Sequence, residues 1–270
     1  MNNDGETPQW PRHVAVVGAG AMGSTLGAAF ADAGVPTTLI DRRADHVAAI
    51  AAGGLTVTGV PGTRHVRPRA ATAAEGVPSA DLVLVLTDSA STAAAGATAA
   101  ALLADEGVVL TLQNGIGNAE ALEAALPGRT VAVGSTYNSA AYLAPGRVAH
   151  TNAGETVLGA LAGPIGPVHT RLAGTLSALG FRTEAVADVA GHVWLKFALN
   201  CALNPVCAAT GLRPGEVVRV APARALLGTI LAEIEAVTAA AAIPLPVPDL
   251  SAYVLDHARS FFRRQVQAVF

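Results

Sequence analysis

Charge is scarce in this sequence: Asp, Glu, Lys and Arg make up 14% of its 270 residues, and the formal net charge is −3. So weak and slightly acidic a charge leaves no electrostatic footprint for nucleic acid or an anionic membrane surface. With 51% apolar residues the chain is also too hydrophobic to stay disordered. Cysteine is nearly missing. Cys201 and Cys207 are the two, and six helical residues turn about 600°, so they point to different faces and read as buried small apolar residues, not a disulfide. A metal site needs more ligands than that. The seven histidines, His13, His46, His65, His150, His169, His192 and His257, show no HxxxH or HxH pairing, which predicts no metal. Long apolar runs are missing as well: the longest, such as residues 93–104, are alanine-rich and broken by Gly96 and Thr98, so nothing reads as a membrane span. The opening MNNDGETPQWPRH is polar and has no apolar signal core, which predicts a cytoplasmic protein.

What is present is an alternation of strands and helices. HVAVVG reads as a strand, 21–33 has helical spacing, TTLID is a second strand and 44–52 a helix. LTVTGV and a solvated basic turn carrying His65, Arg67 and Arg69 follow. Then DLVLVLT, the helix STAAAGATAAALLA and the strand GVVLTLQ continue the alternation. Continuous apolar strands separated by helices predict a doubly wound parallel sheet covered on both faces. Strand-like runs over 131–161, separated by PGR and NAG, predict antiparallel strands appended to that sheet. GPVHTRLAGTLSALG is a helix and FRTEAV a last strand. Beyond about Asp188 only helices are evident, punctuated by Pro205, GLRP and PLPVPD, so a boundary falls near residue 187.

GAGAMG, residues 18–23, follows the first strand and opens a helix. Gly18 permits the tight turn, Gly20 lets backbone approach a pyrophosphate, and Gly23 permits close packing of helix on strand. Ala21 and Met22 complete a loop whose helix N-terminus offers free N–H groups to phosphate. Asp41 ends the second strand about 20 residues later, as the dinucleotide fingerprint requires. Residues 1–187 thus read as a Rossmann-type dinucleotide-binding domain, against the plainer reading of a glycine-rich structural turn. Asp41 would bond a ribose 2′-hydroxyl and favours NAD, whereas Arg42 or Arg43 could clamp a 2′-phosphate. Both cofactors remain open on the residues alone.

In WLKFALNCALNP, Lys196, Asn200 and Asn204 recur every four residues and form a polar stripe about 12 Å long on an apolar helix. A buried lysine is costly unless the stripe lines a cleft. The alternative is that Lys196 snorkels to solvent while the asparagines bridge neighbouring helices. Asn114, in the QNG turn after a parallel strand, lies where doubly wound sheets bind ligands, although turn chemistry alone would also explain it.

Together VAVVGAGAMGSTLGAAFADAG with LIDRR, LTLQNGIGN, PGRVAHTNAGETVLG and WLKFALNCALNP resemble the ketopantoate reductase family. The resemblance implies a Rossmann domain followed by an all-helical substrate or dimerisation domain, 188–270, and NADPH-linked reduction of a 2-keto acid, with NADH as the alternative. It further implies Lys196 as the acid that protonates the carbonyl oxygen, Asn200 and Asn204 as substrate contacts, and Asn114 as the residue orienting the nicotinamide end. The partner it implies is a small carbonyl compound, and it leaves room for a homodimer. Three positions depart from the pattern. Asp88 stands where the family has a lysine for the substrate's carboxylate, Ala252 where it has a serine, and Arg264 where it has an acidic contact. Past RRQVQAVF the family continues for a helix or more, so the helical domain reads as shortened or ended early. The expectation is an NAD(P)H-dependent reductase of a small 2-keto acid or related carbonyl compound for which ketopantoate itself is doubtful. Two rivals are an imine- or opine-type dehydrogenase, with Asp88 holding an amine, and a cofactor-binding protein without turnover.

Overall fold

The computed structural model describes residues 10–60 and 62–267, with side chains through residue 260. The chain divides into two compact units, Met1–Val189 and Ala190–Phe270.

The first unit runs β1 (Val14–Val17), α1 (Ala21–Asp32), β2 (Thr37–Ile40), α2 (Ala44–Gly53), β3 (Leu55–Gly59), β4 (Arg64–Val66), β5 (Arg69–Ala71) and β6 (Ala80–Val85). After a 3₁₀ turn at Ser89–Ser91 come α3 (Thr92–Leu102), β7 (Leu103–Thr111), α4 (Asn118–Ala125), β8 (Thr130–Thr136), β9 (Ser139–Ala144), β10 (Arg147–Asn152), β11 (Thr156–Ala160), α5 (Pro167–Ala178) and β12 (Thr183–Ala185). An eight-stranded sheet has the order β12-β11-β8-β7-β6-β1-β2-β5. From β5 to β8 all neighbours are parallel, giving the 3-2-1-4-5-6 order of dinucleotide-binding folds. The order reverses between β1 and β6, and the crevice outside their carboxyl ends is where such sheets take ligands.

Burial explains the parallel arrangement. All four residues of β1 and all of β2 are buried, and in β6 Leu82 to Val85 follow suit, as strands covered on both faces must be. Phe30 of α1 and Leu82, Leu84 and Leu110 on the strands are sealed from solvent, each such side chain contributing about 1.5–3 kcal/mol.

The antiparallel additions divide in two. β11 joins the main sheet antiparallel to β8, while β9 and β10 pair with β3 and β4 in a separate four-stranded sheet of order β4-β3-β10-β9. β3 and β10 alternate buried and partly exposed residues, the mark of strands with one face covered. The basic turn of the sequence reading is corrected here: β4 covers Arg64 to Val66, and β5, with Arg69, is the edge strand beside β2. Only Arg67 and Pro68 separate them.

The second unit holds α6 (Val189–Thr210), which begins at the last residue of the first, then α7 (Pro214–Val217), α8 (Ala221–Ala240) and α9 (Leu250–Gln267). Both α7 and α8 pack on α9. Leu227, Leu231 and Ile234 of α8 and Leu250, Val254 and Ala258 of α9 are buried at three- and four-residue spacing, one stripe per helix.

Candidate active site

The three glycines of the loop between β1 and α1 do different work. Gly18 has φ +93°, and a Cβ there would lie 2.7 Å from the Thr87 backbone nitrogen. A Cβ on Gly23 would overlap the Gly18 carbonyl oxygen. Both positions are therefore required by packing, at the crossing of β1, α1 and the end of β6. At Gly20 the nearest atom to such a Cβ is Arg43 Nη2 at 4.0 Å, and the residue lines a cavity. Gly20 also caps α1 without a side chain, and Ala21 and Met22 open the helix behind it. An uncapped helix start facing open space beside a glycine fits a pyrophosphate.

That cavity has a volume of about 770 Å³ and an apolar floor of Val17, Ile40 and Leu86. Charged residues stand on its walls. Asp41, at the end of β2, receives the Arg43 guanidinium through both oxygens, Nε to Oδ1 at 2.9 Å and Nη2 to Oδ2 at 3.0 Å, and the Arg43 backbone N–H also donates to Oδ1. Burial pushes the Asp41 carboxyl up, but these Arg43 contacts outweigh it and hold the group below the usual carboxylate range. The guanidinium lies over the Tyr142 ring of β9, 4.3 Å from its centroid. Arg42 instead reaches Asp88, Nη2 to Oδ2 at 3.5 Å. Asp88 caps the 3₁₀ turn, its Oδ1 accepting from Ser91 N at 3.0 Å and from Ser91 Oγ at 2.8 Å. Gly18, Gly20, Asp41, Arg42 and Asp88 thus border one cavity. The carboxylate read as a substrate or amine contact has Ser91 and Arg42 as its partners.

Behind the loop, fully buried His46 of α2 joins three elements. Gly146 N–H donates to its Nδ1 at 3.0 Å, so Nε2 carries the proton and donates to Ser24 Oγ at 3.2 Å, and that hydroxyl donates to the Ala19 carbonyl at 2.8 Å. Burial, with Arg43 nearby, lowers the His46 pKa and keeps the ring neutral.

Asn114 lies beyond β7 in a loop fastened to the end of β6. Gln113 Nε2 donates to Thr87 O, Thr87 Oγ1 and Thr92 Oγ1 at 3.0, 3.1 and 3.0 Å. The Asn114 carbonyl accepts from Ser89 Oγ and from Asn118 Nδ2, each at 3.0 Å. These bonds hold the Asn114 backbone at the sheet's carboxyl edge and leave its carboxamide exposed.

In the second unit, Lys196, Asn200 and Asn204 lie on α6, along one edge of the buried face formed by Leu195, Ala198, Leu199, Ala202, Leu203 and Val206. Asn204 Nδ2 donates to Asn200 Oδ1 at 3.3 Å. Burial lowers the Lys196 pKa from 10.5 to about 8. Lys196 is the only lysine in the chain, a signal of its importance that reading the helical stripe alone passes over. Sequence reasoning also missed Gln113, whose amide ties the two loops, and the Ser24–His46–Gly146 chain. Only the QN pair hinted at the first of them. Of the departures, Ala252 is exposed on α9 and its N–H bonds Asp249 Oδ1 at 2.8 Å. Arg264 lies outside the residues whose side chains are described. Among the described residues no group of three or more His, Cys, Asp or Glu could hold a metal ion, and no helix is long and apolar enough to cross a membrane.

The model of ketopantoate reductase PanE/ApbA matches residues 14–163, and that of the ketopantoate reductase PanE/ApbA C terminal matches residues 188–266. The chain belongs to the ketopantoate reductase family. Among relatives of this family, a 2-dehydropantoate 2-reductase of Halobacterium salinarum is 35% identical over 221 residues, 82% of this chain and 73% of the relative. One of Pyrococcus horikoshii is 33% identical over 202 residues, 75% of this chain and 65% of the relative. The solved structure of a PanE/ApbA family ketopantoate reductase from Ralstonia eutropha JMP134 superposes with a TM-score of 0.83 at 34% identity, covering 92% of this chain and 80% of that one. A ternary structure of D-mandelate dehydrogenase with NADH and anilino(oxo)acetate reaches 0.84 at 26% identity, over 93% and 80%. This ketopantoate reductase family member is an NAD(P)-dependent oxidoreductase acting on a keto group, with NAD(P)H as its cofactor.

Proposed function

We propose that the protein reduces a small 2-keto acid or related carbonyl compound, with Lys196 as the proton donor. The observation that carries this reading is the polar stripe of α6, headed by a lysine whose pKa of about 8 lies near working pH. NAD(P)H, when bound, would supply the hydride for the carbonyl carbon. The Lys196 ammonium would stabilise the negative charge of the carbonyl oxygen and give it a proton, leaving the alcohol and a neutral amine. Asn200 and Asn204 offer amide donors to the substrate's carboxylate or hydroxyl groups. Asn114, held at the sheet edge through its backbone, presents its carboxamide toward the nicotinamide end.

Gly20 and the free N–H groups of Ala21 and Met22 at the start of α1 hold the pyrophosphate, Gly18 and Gly23 shape the turn that presents them, and Asp41 meets the adenosine ribose. Ketopantoate is not the favoured substrate. Lys196 is the sequence's only lysine, so no second lysine is left to bind ketopantoate's carboxylate. The first unit is accordingly the dinucleotide-binding domain and the second the substrate domain of a cytoplasmic enzyme, and sedimentation tests whether the second also forms a homodimer.

A screen of 2-keto acids, with NADH and NADPH each supplied and nicotinamide absorbance followed, tests the reading. Oxidation of cofactor by at least one 2-keto acid is expected, with ketopantoate among the poorer substrates. Tight cofactor binding with no oxidation by any of them would make this a binding protein without turnover.

A further inference from the structure

The two arginines after β2 stand where a 2′-phosphate would be clamped, yet each is already engaged. Arg43 is forked onto Asp41 at 2.9 and 3.0 Å and stacked over Tyr142, so the Nε/Nη2 edge of its guanidinium is already taken by a carboxylate. Arg42 faces Asp88 at 3.5 Å. Asp88 is itself fixed, its other oxygen holding the backbone and hydroxyl of Ser91 at 3.0 and 2.8 Å. A phosphate approaching Arg42 must therefore sit beside a carboxylate that cannot swing away without uncapping the turn.

The charge on the walls points the same way. Asp41, Glu75 and Asp88 face Arg42 and Arg43, three acids against two bases, so the cavity carries one net negative charge before any ligand arrives. A phosphate monoester would add about −1.5 to −2. A ribose 2′-hydroxyl adds none, and it donates a hydrogen bond to Asp41, whose ionised oxygens accept and cannot donate.

We propose that Asp88 is a cofactor-specificity residue: by holding Arg42 at the rim while Asp41 holds Arg43, it directs the adenosine end toward a free 2′-hydroxyl and so toward NADH over NADPH. The inference rests on the cofactor reading above. It assigns a role to the one carboxylate that replaces the family's lysine, and it uses only residues of the first unit.

The test is direct titration of the full chain at low salt with NADH, NADPH, 5′-AMP and adenosine 2′,5′-bisphosphate, in the parent, Asp88→Asn and Arg42→Ala. The amide oxygen introduced by Asp88→Asn can still cap Ser91, but the side chain carries no charge. In the parent, NADH should bind at least about tenfold more tightly than NADPH, and the two fragments should rank in the same way. Asp88→Asn should tighten NADPH by about tenfold while moving NADH by less than about twofold, the gap between parent and variant narrowing as salt is raised. Arg42→Ala should change NADPH affinity by less than about threefold, because Asp88 already occupies that guanidinium. Equal or tighter NADPH binding by the parent, an equal shift of both cofactors in Asp88→Asn, or a tenfold loss of NADPH in Arg42→Ala would each overturn the proposal. Failure of both cofactors to bind a folded parent would overturn the cofactor reading itself.

Discussion

Replacing Lys196 by methionine should stabilise the folded protein at neutral pH, although it removes the residue assigned to proton donation. The ammonium's pKa falls from 10.5 to about 8 because burial disfavours its charge. At about 1.36 kcal/mol per pH unit that difference is about 3 kcal/mol. The sign follows from linkage. Below about pH 8 the lysine is charged whether folded or unfolded, and the folded state carries the full cost of the buried charge. Between about 8 and 10.5 the folded state releases its proton first, so parental stability rises, and above about 10.5 the cost is gone. Methionine matches the length of the lysine stem without the charge. Urea unfolding followed by circular dichroism should therefore show Lys196→Met about 2–3 kcal/mol more stable than the parent near pH 6, with the advantage fading toward pH 10.5. A variant no more stable than the parent near pH 6, or an advantage that does not fade as pH rises, would refute the reasoning.

Two further outcomes follow from the first unit. Gly20→Asp puts a side chain and a negative charge into the space where the glycine now leaves only Arg43 within 4.0 Å; calorimetric titration should detect no dinucleotide binding by the variant, while its melting temperature stays near the parental value. His46, His150 and His169 all have pKa values lowered by burial, so the unfolded chain takes up protons before the folded one as pH drops below about 6.5. Thermal stability should hold above that point and decline toward about pH 5, and a midpoint that rises on acidification would contradict the neutral, buried state of these rings.

The parallel sheet was legible because a strand covered on both faces has to be apolar throughout, and runs such as VAVV and DLVLVL have no other soluble use. β4 and β5 were not legible. Three-residue strands bearing Arg64 and Arg69 show no periodicity, and β5 is a strand only because β2 stands beside it. The second sheet was hidden for a similar reason: β3 finds β10 with Arg147 opposite Thr56, a pairing that no local pattern announces. In the site, glycine spacing told where the loop would be. That only Gly20 of the three faces open space depends on where Thr87 and the Gly18 carbonyl lie. Asp88 was conspicuous in the sequence as an acid in a lysine's place, but its orientation is set by Ser91 three residues on and by Arg42 from the loop after β2. The α6 stripe was visible at four-residue spacing, whereas the depressed pKa of Lys196 comes from burial, which spacing does not reveal.

The most direct test of the account is steady-state and cofactor-binding measurement on Lys196→Ala with the best 2-keto acid found in the substrate screen. The account predicts an unchanged nicotinamide cofactor dissociation constant and a kcat lowered by about 10²-fold or more, because the group lost acts on the transition state. A folded Lys196→Ala variant that reduces the keto acid at the parental rate would contradict it, and would make the polar stripe of α6 a structural feature.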